Sequence, residues 1–131
     1  MINEAIDRFL AINYTGIKTK KDSPPVQVPA AQVPLLFIRS VVIRREGNSL
    51  AYTSSFNEAA MEMVVLVEPV RQNLQEKNYV LVRSLMEELA TKFESNARDL
   101  MIIDYEIREG FEQLNSDTAY FAVIAQIRCG L

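Results

Sequence analysis

The chain has no histidine and no tryptophan, one cysteine, and only four glycines in 131 residues. Each shortage closes a route. Without histidine there is no Ser-His-Asp or Cys-His pair, no His-bearing zinc site and no imidazole acid/base. Cys129 by itself forms neither an internal disulfide nor a Cys-rich metal site, so nothing points to a disulfide-stapled secreted scaffold. Gly16, Gly47, Gly110 and Gly130 are too dispersed for a phosphate-cradling loop. Long hydrophobic runs are missing too. Stretches such as residues 63–67 are far too short to cross a bilayer, and Glu4, Asp7 and Arg8 interrupt any signal-peptide pattern at the N-terminus. Nor is there a basic excess. Fourteen Lys and Arg stand against 17 Asp and Glu, a net charge of −3 that argues against generic nucleic-acid binding. These absences predict a soluble, intracellular, non-enzymatic protein with no cofactor, no metal and no membrane contact.

What is present is a 49% hydrophobic chain, long enough to bury a core without staples and of a length for one domain over residues 1–131. Ile2, Ile6, Phe9 and Leu10 share one helical face, predicting a helix over residues 2–14 with Asn3 as cap and Gly16 as stop. Residues 15–34 hold Pro24, Pro25, Pro29 and Pro34, which force extended backbone. Two readings stand for this stretch: a surface loop, or an arm laid on a neighbouring subunit with Val26, Val28 and Val33 to bury.

Residues 35–46 are β-branched and read as a strand, the Glu46-Gly47-Asn48-Ser49 stretch as a turn, and residues 60–68 as a second strand ending at Pro69. Together they form a long hairpin with a polar tip. Leu74, Asn78, Leu81, Val82, Leu85, Met86, Leu89 and Phe93 trace a wide helical stripe, which starts at either Asn73 or Asn78 and ends near Ser95-Asn96. Residues 100–108 and 118–128 alternate as strands, joined by a polar connection around Gly110. The predicted order is α-β-β-α-β-β: an α+β fold with a mostly antiparallel four- to five-stranded sheet and both helices on one face.

The last strand is apolar on both sides. Phe121, Val123, Ala125 and Ile127 make one face; Tyr120, Ala122 and Ile124 make the other, where an antiparallel sheet normally turns polar. Val64 and Leu66 repeat the pattern on the second strand. Either the N-terminal helix or the proline-rich stretch covers this face, or a neighbouring subunit does.

Candidate chemistry is sparse. Asp104 and Glu106 share a strand face beside Arg108, but alternating charge on a strand reads as solvation, and Glu58, Glu62 and Glu87-Glu88 read the same way. Cys129, with no histidine to pair with and no clear cationic or helix-N-terminal environment, reads as unreactive. Lys18, Lys20 and Lys21 form one basic cluster, and Arg39, Arg44 and Arg45 another, either of which suits an acidic partner or plain solvation.

The order helix, Pro-containing extended stretch, long hairpin, second amphipathic helix and closing strand pair, with the closing text MIIDYEIREGF…TAYFAVIAQIRCGL, resembles the tail terminator proteins of tailed bacteriophages over nearly the whole chain. The resemblance implies a non-enzymatic virion protein, assembled in the host cytoplasm and placed at the tail–neck junction. It implies a hexameric ring that caps the tail tube, stops its polymerisation and meets the neck or connector, with the sheath as a further partner and DNA only as passing cargo in the lumen. The sheet would help build the ring, and the hairpin from Arg44 to Phe56 would reach a neighbour or the tube. The candidate interface residues are then Lys18, Lys20, Lys21, Val26 and Val28 of the arm, Arg44, Arg45, Tyr52 and Phe56 of the hairpin, and Tyr120 and Ile124 of the last strand. A head–tail connector or other neck protein shares this signature, as does a small ligand-binding or regulatory α+β domain.

Overall fold

The computed structural model describes residues 2–46, 56–70, 75–114 and 118–131. The elements are helix α1 (Ile2–Leu10), strand β1 (Thr19–Lys21), a 3-10 turn at Ala30–Gln32, β2 (Leu35–Glu46), β3 (Phe56–Pro69), α2 (Gln75–Ser95), β4 (Ile102–Gln113) and β5 (Ala119–Gly130). The protein is α+β, with a five-stranded mixed sheet ordered β1-β2-β3-β5-β4. Among the described residues only the β1–β2 pair is parallel; β2–β3, β3–β5 and β5–β4 are antiparallel.

The expected order missed one strand. Thr19–Lys21 joins the outer edge of β2 alongside Leu35–Phe37, and the Lys18 amide donates to the Pro34 carbonyl at 2.9 Å. Three residues are too few for a periodicity signal, and two of them are lysines. Helix α1 is also shorter than residues 2–14, and Asn3 lies within it instead of capping it. Gly16 is not its stop. A Cβ there would lie 2.7 Å from Leu85 Cδ2 and 2.9 Å from Glu88 Oε1, so this glycine serves the close approach of the chain to α2. Helix α2 begins at Gln75 and so passes through Asn78, while Asn73 lies outside the described residues.

The strands run longer than periodicity implied. Gly110 is a strand residue opposite Ala122, not part of a polar connection. Among the described residues the register shifts at three places: once on β3 against β5, between Leu66 and Glu68, and at two further irregularities that change side-chain phase on β2 and β4. Between Arg39 and Val42 the β2 register shifts against β3, with Ser40 at φ 55°. That left-handed conformation costs a non-glycine residue about 1–2 kcal/mol and marks a bulge. A second shift between Ile102 and Asp104 puts Ile102, Tyr105 and Ile107 against the core and leaves Ile103 42% exposed.

Two apolar clusters sit on the sheet. The larger joins Ala5, Ile6 and Phe9 of α1 and Val82, Leu85, Leu89 and Phe93 of α2 to Leu36, Ile38, Met61, Met63, Val65, Val123, Ala125 and Ile127. The helix contacts follow spacings of three and four, and Phe9 meets Phe93 edge-on with centroids 5.7 Å apart. The smaller cluster is Leu35, Phe37, Val64, Leu66, Tyr120, Ala122 and Ile124, with Val28, Val33 and Leu114 packed against it. The apolar second face is therefore covered within the protomer, by the proline-rich stretch and by the sheet itself.

An ion pair reveals how the sheet covers its own face. Arg39 stands in the row of Glu62, whereas Glu112 stands in the row of Tyr120 and Pro69. In a flat sheet these positions would be about 20 Å apart along the strands and about 14 Å across them. Yet Arg39 Nη2 lies 2.6 Å from Glu112 Oε1. Closing that gap requires strong coiling, which turns the second face into a concave trough around its apolar cluster.

Candidate assembly surfaces

The residues nominated by sequence do not form one surface. Lys18 and Lys20 are exposed and Lys21 is half-buried, with Lys20 Nζ donating to the Ile12 carbonyl at 3.0 Å. Val26 is 79% exposed, whereas Val28 packs on the smaller cluster. Arg44 and Arg45 are exposed on β2. Tyr52 lies outside the described residues, as does the side chain of Phe56, whose backbone opens β3. Tyr120 and Ile124 are only 7% and 2% exposed. They are core residues of the protomer and offer a neighbour nothing without opening it. Alternation along β5 located them on the second face correctly but carried no information about the coiling that closes it.

The concave face continues from its apolar floor into a charged region. Arg39 is clasped by Glu62 and Glu112, each at 2.6 Å, with both carboxylates largely buried. Its guanidinium is held protonated more firmly than usual, above all by the Glu112 hydrogen bond against an opposing cost of burial. Burial pushes the Glu62 carboxyl up, but hydrogen bonds from Arg39 and Gln126 and the nearby guanidinium charge outweigh it, leaving Glu62 below the ordinary carboxylate range. Farther along, Arg128 bonds Asp104 and reaches Glu58 at 3.3 Å, and Arg44 reaches the other Glu58 oxygen at 3.4 Å. Glu58, 3% exposed, therefore has two cations beside it. A hollow of about 610 Å³ opens here, lined by Ser40, Glu62, Asp104, Glu106, Gln126 and Arg128 among others.

Other candidate chemistry resolves into structure. Glu88 accepts from the Thr15 amide and hydroxyl at 2.6 and 2.7 Å and from the Gly16 amide at 2.9 Å, tying the segment after α1 to α2. Cys129 is buried, and burial pushes its thiol above the ordinary value. Among the described residues no group of three or more acidic or cysteine side chains is placed to hold a metal ion. No helix among the described residues is long and apolar enough to cross a membrane.

Exposed apolar residues gather where sequence reading did not look. Val41, Val42 and Ile43 on β2 are 39%, 57% and 47% exposed; on β4, Ile103 and Phe111 are 42% and 58% exposed. These two strands are the open margins of the sheet. Beyond Phe37 no described strand pairs with the outer side of β2, and none pairs with the outer side of β4. The margins also differ in charge: Arg44 and Arg45 lie on the free part of β2, and Asp104, Glu106 and Glu109 on β4. The signal for this was present in the run VVIRR, which sets three apolar residues before two arginines on a strand.

No family model matches the chain, and no curated protein matches it.

Proposed function

We propose that the chain is a structural subunit of a closed ring, a tail terminator that caps a phage tail tube, halts its growth and presents a surface to the neck. The observation that carries the ring is the pair of unlike open margins on opposite sides of one sheet. Unlike surfaces on one subunit make head-to-tail contacts, which close into rings when the rotation permits. The phage-tail setting rests on the element order and closing strands that resemble the terminator family. The hairpin formed by β2 and β3 supports it: its pairing continues to Glu46 and Phe56, past the end of β5 opposite Glu58, so it projects from the sheet.

Size-exclusion chromatography with light scattering tests the proposal. A discrete ring mass is expected at high protein concentration, or on addition of tail tube protein. A species that stays monomeric under both conditions refutes it. The charged hollow beside Arg128 favours a second reading, a small ligand-binding domain. Under that reading small charged metabolites raise the melting temperature of a monomer or dimer, whereas a ring subunit shows no such response.

A further inference from the structure

The ring reading leaves open how copies join, and the sheet margins answer it. We propose that the outer edge of β4 on one copy adds antiparallel to the free part of β2 on the next, with Asp104 and Glu106 facing Arg44. The inference rests on the ring reading and specifies its interface.

Direction follows from topology. β2 is antiparallel to β3, β3 to β5 and β5 to β4, so β2 and β4 run in opposite directions within one copy. A rotation that continues the sheet into a second copy preserves those directions, so the junction is antiparallel. Extent follows from β1, which occupies the β2 edge at Leu35–Phe37. The incoming strand therefore pairs with the part of β2 beyond Phe37. The N-terminal half of β4 then lies against the C-terminal half of that free edge.

Face and charge agree with this placement. Arg44 is on the concave side, since it reaches Glu58, and Asp104 is on the same side, since it bonds Arg128. Glu106, two residues on, shares that side. A continued sheet keeps its concave side continuous, so cation meets carboxylates across the junction. Glu106 is exposed and has no ion-pair partner among the described residues. Ile103 of one copy and Val41, Val42 and Ile43 of the next lose water at the same seam. Unpaired backbone on both margins supplies the hydrogen bonds, as in strand addition generally.

The test is a charge exchange read by light scattering. Arg44→Glu and Glu106→Arg each set like charges across the seam and should raise the concentration needed for assembly about tenfold. An equimolar mixture of the two variants should assemble as wild type does, because each variant's altered edge finds its complement on the other. Melting curves check that both variants fold. If Arg44→Glu does not, Val42→Cys mixed with Glu106→Cys decides. A short bismaleimide should then join the two variants, the native Cys129 being buried. A ring that forms normally from either charge variant, or resists cross-linking, overturns the edge pairing and leaves the ring intact. A wild-type chain that never leaves the monomer overturns both.

Discussion

Truncating Ile124 tests whether the second apolar face belongs to the protomer or to an interface. Ile124 is 2% exposed, among Leu35, Phe37, Val64, Leu66 and Tyr120. Ile124→Ala removes three carbons, or about 2.4 kcal/mol of transfer free energy at about 0.8 kcal/mol each. A residual cavity adds to that, so a loss of about 3 kcal/mol is expected. The neighbouring strand sharpens the expectation. A Cβ on Gly110 would lie 3.1 Å from Ile124 Cδ1 and 3.2 Å from an Arg108 guanidinium nitrogen. Gly110→Ala should therefore be unfavourable alone, yet recover part of the loss in an Ile124→Val background, where the crowding Cδ1 is gone. Urea unfolding followed by far-UV circular dichroism, at a dilution where the chain is monomeric, gives each value. Val26→Ala, at a 79% exposed position, should stay within about 0.5 kcal/mol. A cost below about 1 kcal/mol for Ile124→Ala, together with lost ring assembly, would refute the self-covered trough and return Ile124 to the interface.

Glu88→Gln should destabilise by about 1 kcal/mol after discounting for solvent, because the amides of Thr15 and Gly16 lose an ionised acceptor. Burial pushes the Glu88 and Glu62 carboxyls up, but their hydrogen bonds outweigh it and hold both below the usual carboxylate range when folded. Depressed folded pKa values mean this stabilisation is complete above the unfolded carboxylate range and disappears as pH falls through the folded values. Urea midpoints should thus drop on acidification below about pH 4.5, less steeply in Glu88→Gln. Met101 has φ 56° at the end of a turn in which the Ile102 amide bonds Ala97 O at 2.9 Å and the Met101 amide bonds Arg98 O at 3.1 Å. This is the Schellman arrangement, which favours glycine, so Met101→Gly should raise the melting temperature, with a gain of up to about 1 kcal/mol. Deleting residues 18–30 removes β1 and Val28, so the chain should lose its cooperative unfolding transition and not assembly alone.

Long-period signals in the sequence were read well, and local geometry was not. The stripe Val82, Leu85, Leu89 and Phe93 and the run 35–46 declare themselves, because burial enforces the period. The bulge at Ser40 leaves no compositional trace, yet it shifts the phase of everything after it on β2. Beyond it residues 41–45 are all exposed, so Val42 and Ile43, on opposite faces, stand clear of both clusters in what reads as a core strand. The Arg39–Glu112 clasp joins residues far apart in sequence on non-adjacent strands, a pairing neither periodicity nor spacing encodes. Alternation alone makes Tyr120 and Ile124 surface candidates; the coiling that this contact marks, with cover from Val28 and Val33, makes them core.

β5 lies between β3 and β4, although every other described element precedes it in sequence. During synthesis, β3 therefore emerges with one edge unpaired and waits through α2 and β4 for its partner. Until β5 arrives, Val64 and Leu66 lack half their trough, and the larger cluster lacks Phe121, Val123 and Ile127. The nascent chain is most exposed to edge pairing with other copies in this interval. Placement of β5 is thus the step that closes the sheet, and the same event unites β4 with the rest of it. A chain built this way cannot offer its acidic margin in a folded sheet until β5 is in place, so incomplete chains lack the edge that the proposed ring would use.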